Sequence, residues 1–343
     1  MQVPGEALLT KLWETLTDRA IGNLLKPWQI RREGRAHTDV QQEALLRLAQ
    51  AERHAAAIRS GDARLTGTDY RLQIEYVESA TIPAQAVLPA AQTSPETKIE
   101  PYQEINRAEQ ADTLRREVNV GRAILHAEDA LAGDQHPPSQ ENPSEDWMYR
   151  WRDYAASVSA GELQLLWGRV LAGEIRSPGV YSLRFLNFLH TIDAPEAELI
   201  ATAMPFVIQD FIARDCDSSL ESAGLSFSRL LELQDLGVIS GVDGLGFSKT
   251  FNRPPQGPFR QLLRSYRHGI GLIAEGEQQS FDVSCYLVTA LGQQLSRLGN
   301  FEANVSYLQA VGASIKPKGF KVQVGVVQDL DGTTSRLINA VEV

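Results

Sequence analysis

Apolar residues recur every three or four positions through much of the chain, a spacing that predicts helices before anything else. Leu8, Leu12, Leu16, Ala20 and Leu24 stand four apart, with Leu9, Trp13, Ile21 and Leu25 beside them. They predict an amphipathic helix over 5–28, ended or kinked by Pro27. Over 36–60, Ala44, Leu48, Ala51, Ala55 and Ile58 alternate four and three apart, a weak seam for one partner helix, with Gly61 as the stop. A third helix over 102–132 follows Leu114, Val118, Gly121, Leu125 and Ala132 along a narrow apolar face. Between them, Leu72, Ile74 and Tyr76 alternate as in a short strand, but the helical neighbours favour helix over 65–78. Pro83, Pro89, Pro95 and Pro101 predict a linker over 79–101, and Pro137, Pro138 and Pro143 a second over 133–144.

From Glu145 aromatic residues cluster, and closely spaced helices continue to about 213. Beyond Asp217 helical and β-like runs mix. Residues 227–236 form a helix closing on Gly237 and entering a strand, and Phe281, Val283, Cys285 and Leu287 alternate across another. Thr289 can cap a helix over 290–298, a further helix lies near 301–315, and strands at 319–327 and 335–341 are joined by Asp331-Gly332. The predicted fold class is mainly α with a small α+β C-terminal part: a helical stalk, a central helical domain and a winged-helix-like C-terminal module. The predicted boundaries are 1–35 for an amphipathic helix and basic segment, 36–132 for the helical pair, 133–144 for a linker, 145–216 for the central domain and 217–343 for the winged-helix-like domain.

Composition narrows the partners. The 343 residues are 43% hydrophobic and 22% charged, normal for a globular protein, with a formal net charge of -10. That balance argues against broad nucleic-acid binding. The best candidate for a recognition helix sets Arg229 against Glu232 and Asp235, so nucleic acid ranks below a protein partner or a second copy of the chain. Cys216 and Cys285 stand far apart and make neither a disulfide framework nor a zinc ribbon. No apolar run reaches the ~18 residues of a membrane-spanning helix, and no secretory signal opens the chain, so a cytoplasmic location is expected. A peripheral place on the inner membrane face is the alternative. Trp13 and Trp28 lie on or near the apolar side of the first helix, and Lys26, Arg31, Arg32 and Arg35 follow with only Glu33 among them, as in interfacial helices.

The densest segment is Asp146-Trp-Met-Tyr-Arg-Trp-Arg-Asp153, followed by 157–175 and by Ser177-Pro-Gly-Val-Tyr-Ser-Leu-Arg184. Trp147, Trp151 and Tyr154 share a helical face. Ser159 with Glu162 fits a capping box, and Leu163, Leu166, Trp167, Val170 and Leu171 fit a core-facing stripe. Gly168 and Gly173 allow close backbone approach, Pro178-Gly179 turns the chain, and Ser182 can cap a helix over 183–192. Arg150, Arg152, Arg169, Glu174, Arg184 and His190 are the ligand-binding candidates, since guanidinium forks suit phosphate or carboxylate. The favoured reading is structural, with these charges fixing helix angles.

This segment resembles an uncharacterised bacterial family with a domain of unknown function. Its members share Leu-Trp-Gly-x-x-Leu-Ala-Gly-Glu, matched by Leu166–Glu174, then Pro-Gly at 178–179 and Ser-Leu-Arg at 182–184. The resemblance extends to Pro27–Arg32, Leu114–Asn119 and Leu287–Gly292, and it implies no catalytic residues. None is found independently. Gly244–Thr250 lacks the glycine before lysine that a phosphate loop needs, and His126-Ala-Glu128 lacks the cysteines of a deaminase site. The six histidines are scattered, no Gly-x-Ser-x-Gly elbow occurs, and no cofactor or metal is expected. The expected function is a non-enzymatic regulatory or interaction protein, read by analogy of layout as a membrane-surface component of a bacterial stress or antiphage defence system. The alternatives are a nucleic-acid-binding regulator using the C-terminal module and an enzyme with its site in 150–190.

Overall fold

The structure is a computed structural model that describes residues 5–18, 21, 37–66, 73–76, 101–134, 136–253, 257–274, 280–330 and 335–343. Among them the chain is mainly helical, with antiparallel sheet gathered chiefly in its C-terminal part. It divides into two compact units, Met1–Leu186 and Asn187–Val343.

In the first unit, α1 (Glu6–Asp18) buries Leu8, Leu12, Trp13 and Leu16, the four-residue stripe expected of it. Pro27 and the basic stretch after it lie outside the described residues. Helix α2 (His37–Ser60) occupies its predicted span. The described residues of the helix expected over 65–78 are strand instead. Ala63–Thr66 (β1) pairs antiparallel with Gln73–Tyr76 (β2), so the two-residue alternation of Ile74 and Tyr76 overrides the helical neighbourhood. Linker residues 79–100 lie outside the described set. Helix α3 (Pro101–Ala132) opens on the proline expected to close that linker, a residue suited to a first helical turn. It runs against α2 and α1, and against α4 (Glu145–Ser157) and α5 (Gly161–Arg176). Its buried surface is correspondingly broad rather than a narrow face: Ala111, Val118, Val120, Ala123, Ile124, Ala127 and Leu131 are all covered. The described residues of 133–144 are irregular, as the prolines there require, but they are fastened rather than loose. The buried Lys11 ammonium donates to the carbonyls of Ser139 (2.9 Å) and Glu141 (2.5 Å), and Asp134 takes Arg176 (2.5 Å). The helices from 145 to 186 therefore share one compact unit with α1–α3, and the division between the units falls inside α6 (Leu183–Thr191).

The second unit begins with α7 (Ala194–Ala203), whose first turn carries a reciprocal cap between Asp193 and Glu196. Next come β3 (Phe211–Ala213), α8 (Asp217–Ser222), α9 (Phe227–Asp235), β4 (Ile239–Ser240) and β5 (Phe247–Asn252). Two longer strands, β6 (Phe259–Ser265) and β7 (His268–Ala274), precede β8 (Ser280–Val288). Strand β8 is central. It pairs β3 along one edge and β4 and then β5 along the other, because Cys285 faces both Ala213 and Phe247. Thr289 caps α10 (Ala290–Leu298) as predicted, accepting the Gly292 N–H at 3.1 Å. Helix α11 (Val305–Ile315) packs on a second sheet of order β10-β9-β7-β6, completed by β9 (Lys321–Asp329) and β10 (Ser335–Glu342). Phe251, Phe259, Phe281 and Phe320 pack at centroid distances of 4.9–5.9 Å in this unit's core, Phe251 stacked on Phe281 and the other pairs tilted or edge-on. Beneath α11 the Tyr307 hydroxyl accepts the Ala213 N–H at 2.7 Å and donates to the Ala213 carbonyl at 3.3 Å, and its burial raises its pKa well above the ordinary value.

Candidate functional site

The aromatic-rich segment is assembled from indoles whose polar ends are satisfied by main chain. Trp147 and Trp151 are buried on α4. The Trp147 Nε1–H donates to the Tyr181 carbonyl at 2.7 Å, and that of Trp151 to the Trp167 carbonyl at 2.9 Å. Each bond ties α4 to a different part of the following chain. Helix α5 crosses α3 at Gly168, where an added Cβ would stand 2.5 Å from the His126 Cβ and 2.8 Å from the Ala123 carbonyl oxygen. A Cβ added at Gly173 would likewise stand 2.6 Å from Cε2 of the Tyr181 ring. Both positions need a hydrogen for a side chain.

Glu174 is the most committed charge of the motif. Its side chain is buried, the residue 1% exposed, and its oxygens accept the N–H groups of Gly179 (2.6 Å) and Tyr181 (3.1 Å). The carboxyl thus holds the Pro178-Gly179 turn against the end of α5. Burial raises its pKa, opposed by the backbone N–H groups of Gly179, Tyr181 and Val180. Ser182 caps α6 by accepting the Phe185 N–H at 3.1 Å.

The remaining ligand candidates are dispersed. Arg150 is exposed and sits over the Tyr154 ring, 6.0 Å from its centroid. Arg152 pairs with Glu117 on α3. Arg169 is half-buried on α5 and does not pair with Glu174, while Arg184 and His190 are exposed on α6. Of the membrane candidates, Trp13 is 6% exposed and covered within its own unit, so it is not presented to a surface. Trp28, Lys26, Arg31, Arg32 and Arg35 lie outside the described residues.

Two local expectations fail for one tertiary reason. Ser159 does not cap α5, where Ala160 holds that position without a side-chain bond. Its hydroxyl is taken instead by Arg115 (3.2 Å) and by Asn119 (3.3 Å). Leu163 is 44% exposed, and the buried position beside it belongs to Gln164 at 1%. The Gln164 amide donates to Asn119 Oδ1 (3.1 Å) and to the Val158 carbonyl (3.3 Å), and Asn119 donates to the Ala156 carbonyl (2.9 Å). This chain of amides locks the α4–α5 turn onto α3. A cleft of about 270 Å³ opens beside it, lined by Glu52, Arg59, Arg115, Asn119 and Ser159. Its charges are largely spoken for: Glu52 pairs with Arg122 (2.6 Å) and Arg115 with Asp112 (2.7 Å).

A second groove, of about 330 Å³, lies in the other unit between α7 and α9. Pro195, Leu199 and Leu236 form its apolar part, and Asp193, Glu196, Glu232, Asp235 and Arg229 its charged part. None of the ligand candidates drawn from the aromatic motif lines either cavity. Among the described residues no group of three or more His, Cys, Asp or Glu side chains is placed to hold a metal ion. No helix among them is long and apolar enough to cross a membrane.

Residues 104–211 match the model of a family described as a protein of unknown function, DUF2806. The matched stretch contains Leu114–Asn119 and Leu166–Glu174, whereas Pro27–Arg32 and Leu287–Gly292 fall outside it, so the likeness is narrower than those segments imply. No curated protein and no solved structure matches the chain.

Proposed function

We propose that the chain is a non-enzymatic interaction protein whose segment from α7 to β8 is a winged-helix-like module directed at a protein partner. The strand order supports the first half of this reading. A helix (α7), a strand (β3), two helices (α8 and α9) and a returning strand (β4 and β5) precede β8, which lies between β3 and β4. Where a wing would stand, between β5 and β8, the chain extends into β6 and β7 and joins the second sheet.

The exposed side of α9 carries the second half. Helix α9 takes the place of a recognition helix, and its exposed residues are Phe227, Ser228, Arg229, Glu232 and Asp235. One guanidinium stands against two carboxylates, with Phe227 56% exposed at the start of the helix. A duplex-reading helix needs cations to neutralise phosphates, whereas an exposed aromatic beside mixed charge is ordinary at protein contacts. Nearby, the Gln234 side chain accepts the N–H groups of Gly241 (3.0 Å) and Val242 (2.7 Å), fixing a loop that leaves Leu245 fully exposed.

A photoreactive benzoylphenylalanine at Phe227 of the full chain tests this reading in living cells, with Glu302 as the control position. The expected result is a discrete adduct at 227 that protease removes and nuclease does not, absent at 302. A nuclease-sensitive adduct would favour the nucleic-acid alternative, and no adduct at 227 would overturn the proposal.

A further inference from the structure

We infer that the groove between α7 and α9 seats a basic segment of a protein partner, with an arginine side chain laid along its apolar floor. The inference rests on the protein-contact reading and adds the chemistry of the partner. A helix N-terminus ordinarily attracts anions, but here that role is filled internally. Asp193 accepts the Glu196 N–H at 2.9 Å while Glu196 accepts the Asp193 N–H at 3.1 Å. The groove therefore meets a ligand with carboxylates rather than with open N–H donors. Glu232 and Asp235 add two more from α9, and the one cation of the lining, Arg229, is drawn to Glu232 at 3.2 Å. Four carboxylates against one guanidinium favour a cation.

The apolar floor decides what kind of cation. Leu199 is buried, Leu236 half-buried and Pro195 exposed at the groove's edge, so a bare metal ion or small amine would leave this surface unused. A long basic side chain covers it with its methylenes and delivers its charge to the rim. At about 330 Å³ the groove sits near the lower end of ligand-site volumes, enough for one extended side chain and its flanking backbone. A guanidinium suits the rim better than an ammonium, because its fork can engage a carboxylate through two bonds.

Fluorescence anisotropy of the full chain tests this with labelled hexapeptides Ala-Leu-Arg-Leu-Arg-Ala, its lysine counterpart and its glutamate counterpart. The arginine peptide should bind most tightly and the glutamate peptide not at all. The exposed pair Glu232→Gln with Asp235→Asn should weaken arginine-peptide binding about tenfold or more. The pair Glu302→Gln with Glu342→Gln, which removes the same charge elsewhere, should change it less than about twofold. Equal losses in both variants, or no binding of the arginine peptide by the intact chain, would overturn the groove as a basic-segment seat. A protein adduct at Phe227 alongside absent peptide binding would remove the seat and leave the protein-contact reading standing. Absence of both would remove the two together. Far-ultraviolet circular dichroism and the unfolding temperature confirm that each variant is folded.

Discussion

The aromatic segment from 146 to 184 and the α7–α9 groove differ in one respect that decides where function is to be sought. The first is rich in motif, and its most deeply buried polar side chains are already engaged: two indoles on carbonyls, Glu174 on backbone N–H groups and Gln164 on Asn119 of α3. The second has no sequence motif, and its carboxylates stand at the surface beside an apolar floor. Dense sequence signal here marks what must be held together, and the groups still open to a ligand lie where the pattern is plain.

The sharpest way to break that contrast is to compare a tryptophan of the first region with an aromatic of the second. Trp151→Ala removes a fully buried indole and its carbonyl bond, and should destabilise by about 3–5 kcal/mol in urea unfolding. Phe227→Ala should stay within about 0.5 kcal/mol of the parent. Similar costs for the two would erase the distinction.

Glu174→Gln is the next largest. An amide NH2 must now face N–H donors, at a cost of about 1–3 kcal/mol. The pH dependence has a definite sign. Because burial raises the folded-state pKa above 4.5, the native state holds this proton more tightly than the unfolded chain does. The stability Glu174 contributes is therefore fully present below that value and falls as pH rises through the higher, folded one. The difference in unfolding temperature between parent and Glu174→Gln should accordingly shrink from pH 4 to pH 7. A difference that grows over this range would mean that the backbone N–H groups outweigh burial.

Arg229→Ala sharpens the comparison with the smallest effect on the fold. Its pair with Glu232 is about half exposed on both sides and contributes no more than about 0.2–1 kcal/mol. Removing it frees a rim carboxylate, so arginine-peptide affinity should rise by about threefold. A fall instead would identify Arg229 as a contact and the groove as an anion site.

Sequence pattern located the long helices because their burial repeats locally: Ala44, Leu48, Ala55 and Ile58 on α2 are buried as their spacing implies. It located α9, β8 and the Thr289 cap for the same reason. It failed where a distant partner overrides a local preference. The β1 and β2 strands are four residues each, too short for their alternation to stand out in the sequence beside long helices, and it is their pairing with each other that decides the outcome. The Ser159 hydroxyl serves Arg115 and Asn119, 44 and 40 positions away in the chain, so no capping pattern could reveal it. Lys11 and Gln164 read as polar and are buried, since each finds carbonyl or amide partners that periodicity does not register. The groove was illegible because residues near 195 and near 232 make it jointly, and neither stretch carries a recognisable motif.

Strand β3 draws its support from far downstream, from Cys285–Leu287 by pairing and from Tyr307 by hydroxyl. During synthesis the three residues of β3 leave the ribosome long before either partner exists. The second unit must therefore wait, helices formed and sheet unfinished, until Tyr307 has emerged. A stall or truncation before Tyr307 would leave that sheet unsealed, a species for chaperones and proteases rather than a smaller working domain.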